Sequence, residues 1–150
     1  MATQVDKALR HAAVVALGEL GRSDDYQDRA DAGHGLAPFA DVPEAFGVLL
    51  DLVLDPRDTF VTRLTTEALL RRKDRVGLAI VASALAVANP NHSDWIHTAT
   101  FDVFSVSSED RDNAMRMCEE MLQAADERVA QGARQLLVVL ADIDPVLRSA

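Results

Sequence analysis

The chain has 150 residues, 49% of them hydrophobic and 26% charged, which suffices for one soluble domain with a real core. A net charge of −9 disfavours a phosphate backbone as partner, and a single cysteine excludes an internal disulfide. No apolar stretch is long enough to cross a bilayer and the start, MATQVDKALRH, lacks the apolar run of a secretory signal, so a cytoplasmic protein with one domain over residues 1–150 is expected.

Eight helices are predicted, at 4–21, 25–38, 43–54, 58–73, 75–88, 93–106, 109–124 and 127–141. They follow from four copies of one pattern, each centred on a short polar residue suited to start a helix: Asp25, Asp58, Ser93 and Asp126. Five, eight, nine and twelve residues before each of these, every position is apolar. The first helices of the four copies thereby carry Ala13, Ala16, Leu17 and Leu20; then Phe46, Leu49, Leu50 and Val53; then Val81, Ala84, Leu85 and Ala88; then Ala114, Met117, Cys118 and Met121. Steps of three, four and seven residues form one face of a helix. The second helices repeat the pattern at +3, +7, +10 and +11, with Ala32, Thr65, Thr100 and Ala133 at +7 and Leu36, Leu69, Phe104 and Leu137 at +11. Asp28 interrupts the +3 position in the first copy. Pro43 and Pro56 stand where a missing N–H costs nothing, Pro90 is expected to break the chain between two helices, and Ser107 with Asp110 has the spacing of a capping box.

Short loops between these helices imply antiparallel hairpins, and no segment alternates with the two-residue period of a strand. The expectation is an all-α fold of four helical hairpins, over 4–40, 41–74, 75–107 and 108–148. Each hairpin buries its apolar face only by stacking on the next. With 5% aromatic residues, the core must be built from Ala, Leu and Val at close helix contacts, and Gly33 and Gly35 stand where a second helix needs a close approach.

Residues 9–20, LRHAAVVALGEL, resemble the HEAT-repeat pattern through Leu9, Arg10, Ala13, Ala16, Leu17, Gly18 and Leu20. Residues 28–37 match it through Arg29, Ala32, Gly33, Gly35 and Leu36; residues 61–70 keep Val61, Ala68 and Leu69 but have Thr62 where Arg is usual. The last two copies keep only the apolar spacing. The resemblance implies a right-handed α-solenoid with the second helix of each pair on its concave side. It says almost nothing about function, because such repeats hold many kinds of partner. The family includes di-iron hydroxylases with repeated His-Glu dipeptides; this chain has no such dipeptide.

Positions +5, +9 and +12 of the second helices are expected to face outward. They place Ala30, Arg63, Thr98 and Gln131 in one row and His34, Glu67, Asp102 and Gln135 in another, a polar strip suited to a protein partner, while the plainer reading is a solvated face. Phe60 and Trp95 share the +2 position, and Tyr26 stands at +1; exposed aromatics anchor interfaces, while the plainer reading is packing on the preceding helix. The basic cluster Arg71, Arg72, Lys73 and Arg75 falls at a helix end, where cations complement the helix dipole; the alternative is an anion or nucleic-acid contact. His11, His34, His92 and His97 lack metal-ligand spacing, and Cys118 reads as a small buried apolar group.

These residues predict no catalytic set, no metal and no cofactor. They point to a non-enzymatic scaffold that binds another protein, one with a basic face, through Arg63, Glu67, Thr98, Asp102, Gln131, Gln135, His34, Trp95 and Phe60. A narrower version is an immunity or inhibitor protein that neutralises a basic toxin or enzyme. HEAT-like DNA glycosylases supply an enzymatic alternative, with Trp95, Asp102 and the Arg71–Arg75 cluster as its nearest equivalents; the acidic charge opposes it. Polar residues on the terminal helices (Asp6, Lys7 and Arg10; Arg134, Gln135 and Asp142) favour a monomer over a stacked dimer.

Overall fold

Short polar side chains start seven of the eight helices in the computed structural model, which describes residues 3–149. The helices are α1 (Gln4–Leu20), α2 (Tyr26–Leu36), α3 (Pro43–Val53), α4 (Thr59–Leu70), α5 (Arg75–Val87), α6 (Pro90–Phe104), α7 (Ser108–Met121) and α8 (Glu127–Ala141), with a 3-10 turn at Ala37–Phe39 after α2. Asp25, Asp58 and Asp126 accept from the N–H groups of Gln27, Phe60 and Arg128 at 2.8, 2.9 and 2.9 Å, as their spacing predicted. Ser107 accepts from the Asp110 N–H at 3.4 Å. The fold is all-α as expected, and among the described residues no strand forms.

One predicted cap is corrected. Ser93 lies half-buried inside α6, which begins a turn earlier. Asn89 is the cap, its Oδ1 accepting from the His92 N–H at 2.7 Å. Pro90 takes the first helical position, where its lack of an N–H costs nothing, so the expected breaker opens the helix.

The helices pack in two rows. The first helices α1, α3, α5 and α7 touch in sequence, as do the second helices α2, α4, α6 and α8. The +7 residues Ala32, Thr65, Thr100 and Ala133 are all completely buried, and Leu36, Leu69 and Phe104 join them in one core with Leu49, Val53, Ile80, Val81 and Leu85. Two positions of the apolar pattern on the first helices, Ala16 and Phe46, stay exposed. On the second helices Ala30, Ala37 and Leu70, expected outward at +5 and +12, are buried instead. Asp28, which interrupts the apolar +3 position, is half-buried and accepts from the Ser23 hydroxyl at 2.7 Å.

The stacking is uneven. α5 makes little contact with its expected hairpin partner α6 and packs most extensively on α8. Gly132 permits this, since a Cβ there would overlap the backbone of Ala82 on α5. Gly33 likewise admits Thr65 of α4 against α2, as its Ala-like position predicted.

The connection between α1 and α2 is tied to that between α3 and α4 by a buried ion pair. Arg29 Nε donates to Asp55 Oδ2 at 2.6 Å, with side chains only 4% and 3% exposed. Arg29 Nη1 also donates to the carbonyls of Ser23 and Asp24. Asp55 Oδ1 accepts from the N–H groups of Arg57 and Asp58, both at 2.9 Å, which shapes the turn that leads to the Asp58 cap. At the far end, residues 146–149 return to the α6–α7 loop: Val146 N–H donates to the Ser105 carbonyl and Ser108 N–H to that of Leu147, at 2.9 and 2.8 Å.

On α1, Asp6 and Lys7 are exposed and Arg10 is half-buried. Arg10 donates to Asp41 at 2.7 Å in an exposed pair and lies over the Phe39 ring, and Asp6 completes a capping box with Thr3. Val5, Leu9 and Val15 remain exposed.

Candidate functional site

The row of second helices carries the predicted site residues, most of them in three places. Between α2 and α4, a groove of about 440 Å³ is lined by Gln27, Ala30, Asp31, His34, Phe60 and Leu64. Phe60 meets the ring of Tyr26 edge-on, with centroids 5.7 Å apart, and both stay substantially exposed. That contact is with α2 and not with α3, the helix that precedes Phe60, and Phe60 stays 46% exposed. Trp95 is half-buried.

Between α4 and α6 lies an ion network. Arg63 Nε donates to Glu67 at 3.0 Å and its Nη2 to Asp102 at 3.3 Å, while Arg71 donates to the other Glu67 oxygen at 3.3 Å. Glu67 sits between two guanidinium groups with its side chain 12% exposed, so it is less available to a partner than its outward position implied. The middle of the polar strip is internally neutralised.

Between α6 and α8, a groove of about 510 Å³ is lined by His97, Thr98, Phe101, Asp102, Val138, Val139 and Asp142. Thr98 and Asp102 were expected here. Phe101 and Val138 were not singled out, though they are 53% and 66% exposed. Phe101 stands at +8, between the outward Thr98 and Asp102, and Val138 is the +12 residue of the fourth copy, so the helix period carried a signal for both. On α8, Gln131 is exposed and Gln135 half-buried, both outside this lining.

The basic cluster at the α4–α5 junction is occupied internally. Arg72 donates to the Ala37 carbonyl at 2.8 Å and to both oxygens of Asp74, Lys73 to Asp110 at 2.6 Å, and Arg75 to Glu120 at 3.3 Å. Lys73 takes a left-handed backbone conformation (φ 55°) at the turn. Cys118 is fully buried, and burial pushes its thiol from an ordinary 9.0 up to about 12, with a smaller contribution from Glu119. It has the inert character of a core residue. Among the described residues no helix is long and apolar enough to cross a membrane, and no three His, Cys, Asp or Glu side chains are grouped to hold a metal.

No family model and no curated protein matches the chain. One solved structure, the crystal structure of an engineered protein, is similar at 20% sequence identity, covering 85% of this chain and 62% of that one, with a TM-score of 0.36. The chain thus spans less than two thirds of that protein's length. A likeness of that size bears on neither fold family nor function.

Proposed function

We propose that the chain is a non-catalytic, HEAT-like module: four helical hairpins stacked as a right-handed solenoid, which holds a partner protein along the row of second helices. The observation that supports this most is the make-up of that row. It presents two exposed grooves, one lined by Phe60, whose ring meets Tyr26, and one with Phe101 and Val138, on either side of the Arg63–Glu67–Asp102 network. Aromatic and aliphatic anchors flanked by satisfied polar groups are the usual make-up of a protein interface. The pairing of Arg71, Arg72, Lys73 and Arg75 with carboxylates favours this reading over a nucleic-acid enzyme, which needs free cations to meet phosphates.

The test is affinity capture from lysate of the native host at moderate salt, identified by mass spectrometry. Wild type runs beside Phe60→Ser and a Glu67→Lys/Asp102→Lys double variant, all checked for helicity by circular dichroism. A specific protein held by the wild type and lost from a folded variant supports the module. Retention by every variant overturns the assignment of this face.

A further inference from the structure

We infer that the α6–α8 groove takes a cationic, amphipathic helical segment of a partner protein, its apolar edge on Phe101 and Val138 and its Lys or Arg side chains over Asp102 and Asp142. This rests on the module reading above and names the site and the chemistry of the partner.

Three features converge on that occupant. The groove exists because α8 is committed to α5 through Gly132, which leaves α6 and α8 only lightly packed together and their apolar residues uncovered. A trough between two helices is the shape that receives a third. The second feature is charge. The lining comes from the C-terminal halves of both helices, and neither helix has a basic residue in its last turn. The C-terminal ends of both helices, each with partial negative charge, thus stand beside the groove; Arg111 donates to the Ile143 carbonyl just beyond α8 at 2.7 Å but is itself paired with Asp112. Asp102 and Asp142 add formal charge. Arg63 reaches Asp102 from α4 but also carries Glu67, and Asp142 has no ion-pair partner among the described residues. α6 itself holds no Lys or Arg, only Asp94, Asp102 and two histidines. The third is the exposed Phe101 ring, which offers a face to a guanidinium or ammonium group. A second copy of this chain is the poorer fit, because each copy carries a charge of −9.

The experiment is fluorescence anisotropy with two short labelled synthetic helices, one with Leu and Lys at helical spacing and one with Leu and Glu. They are titrated with the full chain and with Val138→Lys, Asp142→Lys and Phe60→Ser. Val138 and Asp142 are exposed, and a lysine near a helix C-terminus is favourable, so these variants keep the fold; circular dichroism checks it. The Leu/Lys helix should bind the wild type, bind about tenfold more weakly to Val138→Lys and to Asp142→Lys, and bind Phe60→Ser as it binds wild type. Rising salt should weaken it, and the Leu/Glu helix should not bind. No binding of the Leu/Lys helix, equal binding of both helices, or equal affinity for all variants overturns the assignment. So does sedimentation that shows a wild-type dimer abolished by Val138→Lys, which would give the groove to a second copy. Lysate capture separates the two levels. A partner lost on Phe60→Ser but retained by Val138→Lys and Asp142→Lys keeps the module and removes the groove. Peptide binding through the groove with capture unchanged by Phe60→Ser and Glu67→Lys keeps the groove and removes the wider face.

Discussion

Gly132 on α8 rests directly against the carbonyl of Ala82 on α5, with no room for a methyl group between the two helices. That contact draws α8 onto α5 and away from α6, and so opens the groove with Phe101 and Val138. A Cβ at this point must push backbone against backbone, which cannot yield as a flexible side chain does. Gly132→Ala is expected to lower stability by about 1–3 kcal/mol in urea denaturation. Gly47 is the opposite case: it lies exposed in α3 with nothing near an added Cβ, so Gly47→Ala should raise stability by about 0.5–1 kcal/mol through helix propensity. A stabilising Gly132→Ala would refute the close crossing.

The Arg29–Asp55 pair should be costly to break from one side. Asp55→Asn leaves a buried guanidinium without its counter-charge, and a loss of about 3–5 kcal/mol is expected. Its pH dependence follows from the carboxyl. Burial raises the pKa of Asp55, but hydrogen bonds from Arg29 and from the N–H groups of Arg57 and Asp58, together with the Arg29 charge, outweigh this and hold it below its ordinary value. A depressed folded pKa gives stability that is complete above the unfolded value of about 4 and lost as pH falls below it. The stability gap between wild type and Asp55→Asn should therefore be constant near neutrality and shrink below about pH 4. A gap that widens in acid would contradict the pair.

Cys118 should be silent toward thiol reagents in the native protein at pH 8 and react at once in denaturant, as mass spectrometry after alkylation would show. The sign at alkaline pH is set by its raised pKa: the folded state keeps the proton between about 9 and about 12 while the unfolded state gives it up, so stability declines as pH rises through that window. Cys118→Ala should remove this alkaline decline while costing core packing. Rapid native labelling would place the thiol outside the core.

The paired cations of the α4–α5 junction predict flow-through on heparin at low salt. Arg63→Ala, at the centre of an exposed network, should cost no more than about 1 kcal/mol in thermal unfolding. Tight heparin retention would mean that a cationic surface forms despite these pairs.

Much of this was legible in the chain. Periodicity at +7 identified four completely buried positions, and the acidic caps at Asp25, Asp58 and Asp126 stand where spacing put them, because capping and amphipathic burial are local and repeat with the helix period. Ser93 misled because two caps competed: Asn89 with Pro90 starts the helix a turn sooner, and the longer helix wins the additional backbone bonds. Glu67 stood in an outward row, but the reach of Arg63 and Arg71 decided that it would be enclosed.

The sequence by itself determined eight helices, their approximate limits, most of their buried faces and the outward placement of Thr98 and Asp102, since these depend on neighbours within about two helical turns. Only the tertiary structure decided that α5 packs on α8 rather than chiefly on α6, that the basic cluster is paired with carboxylates, and that Phe101 and Val138 line one open groove. Those outcomes depend on which small residue meets which backbone across long separations, as Gly132 meets Ala82, and no local period records such a meeting.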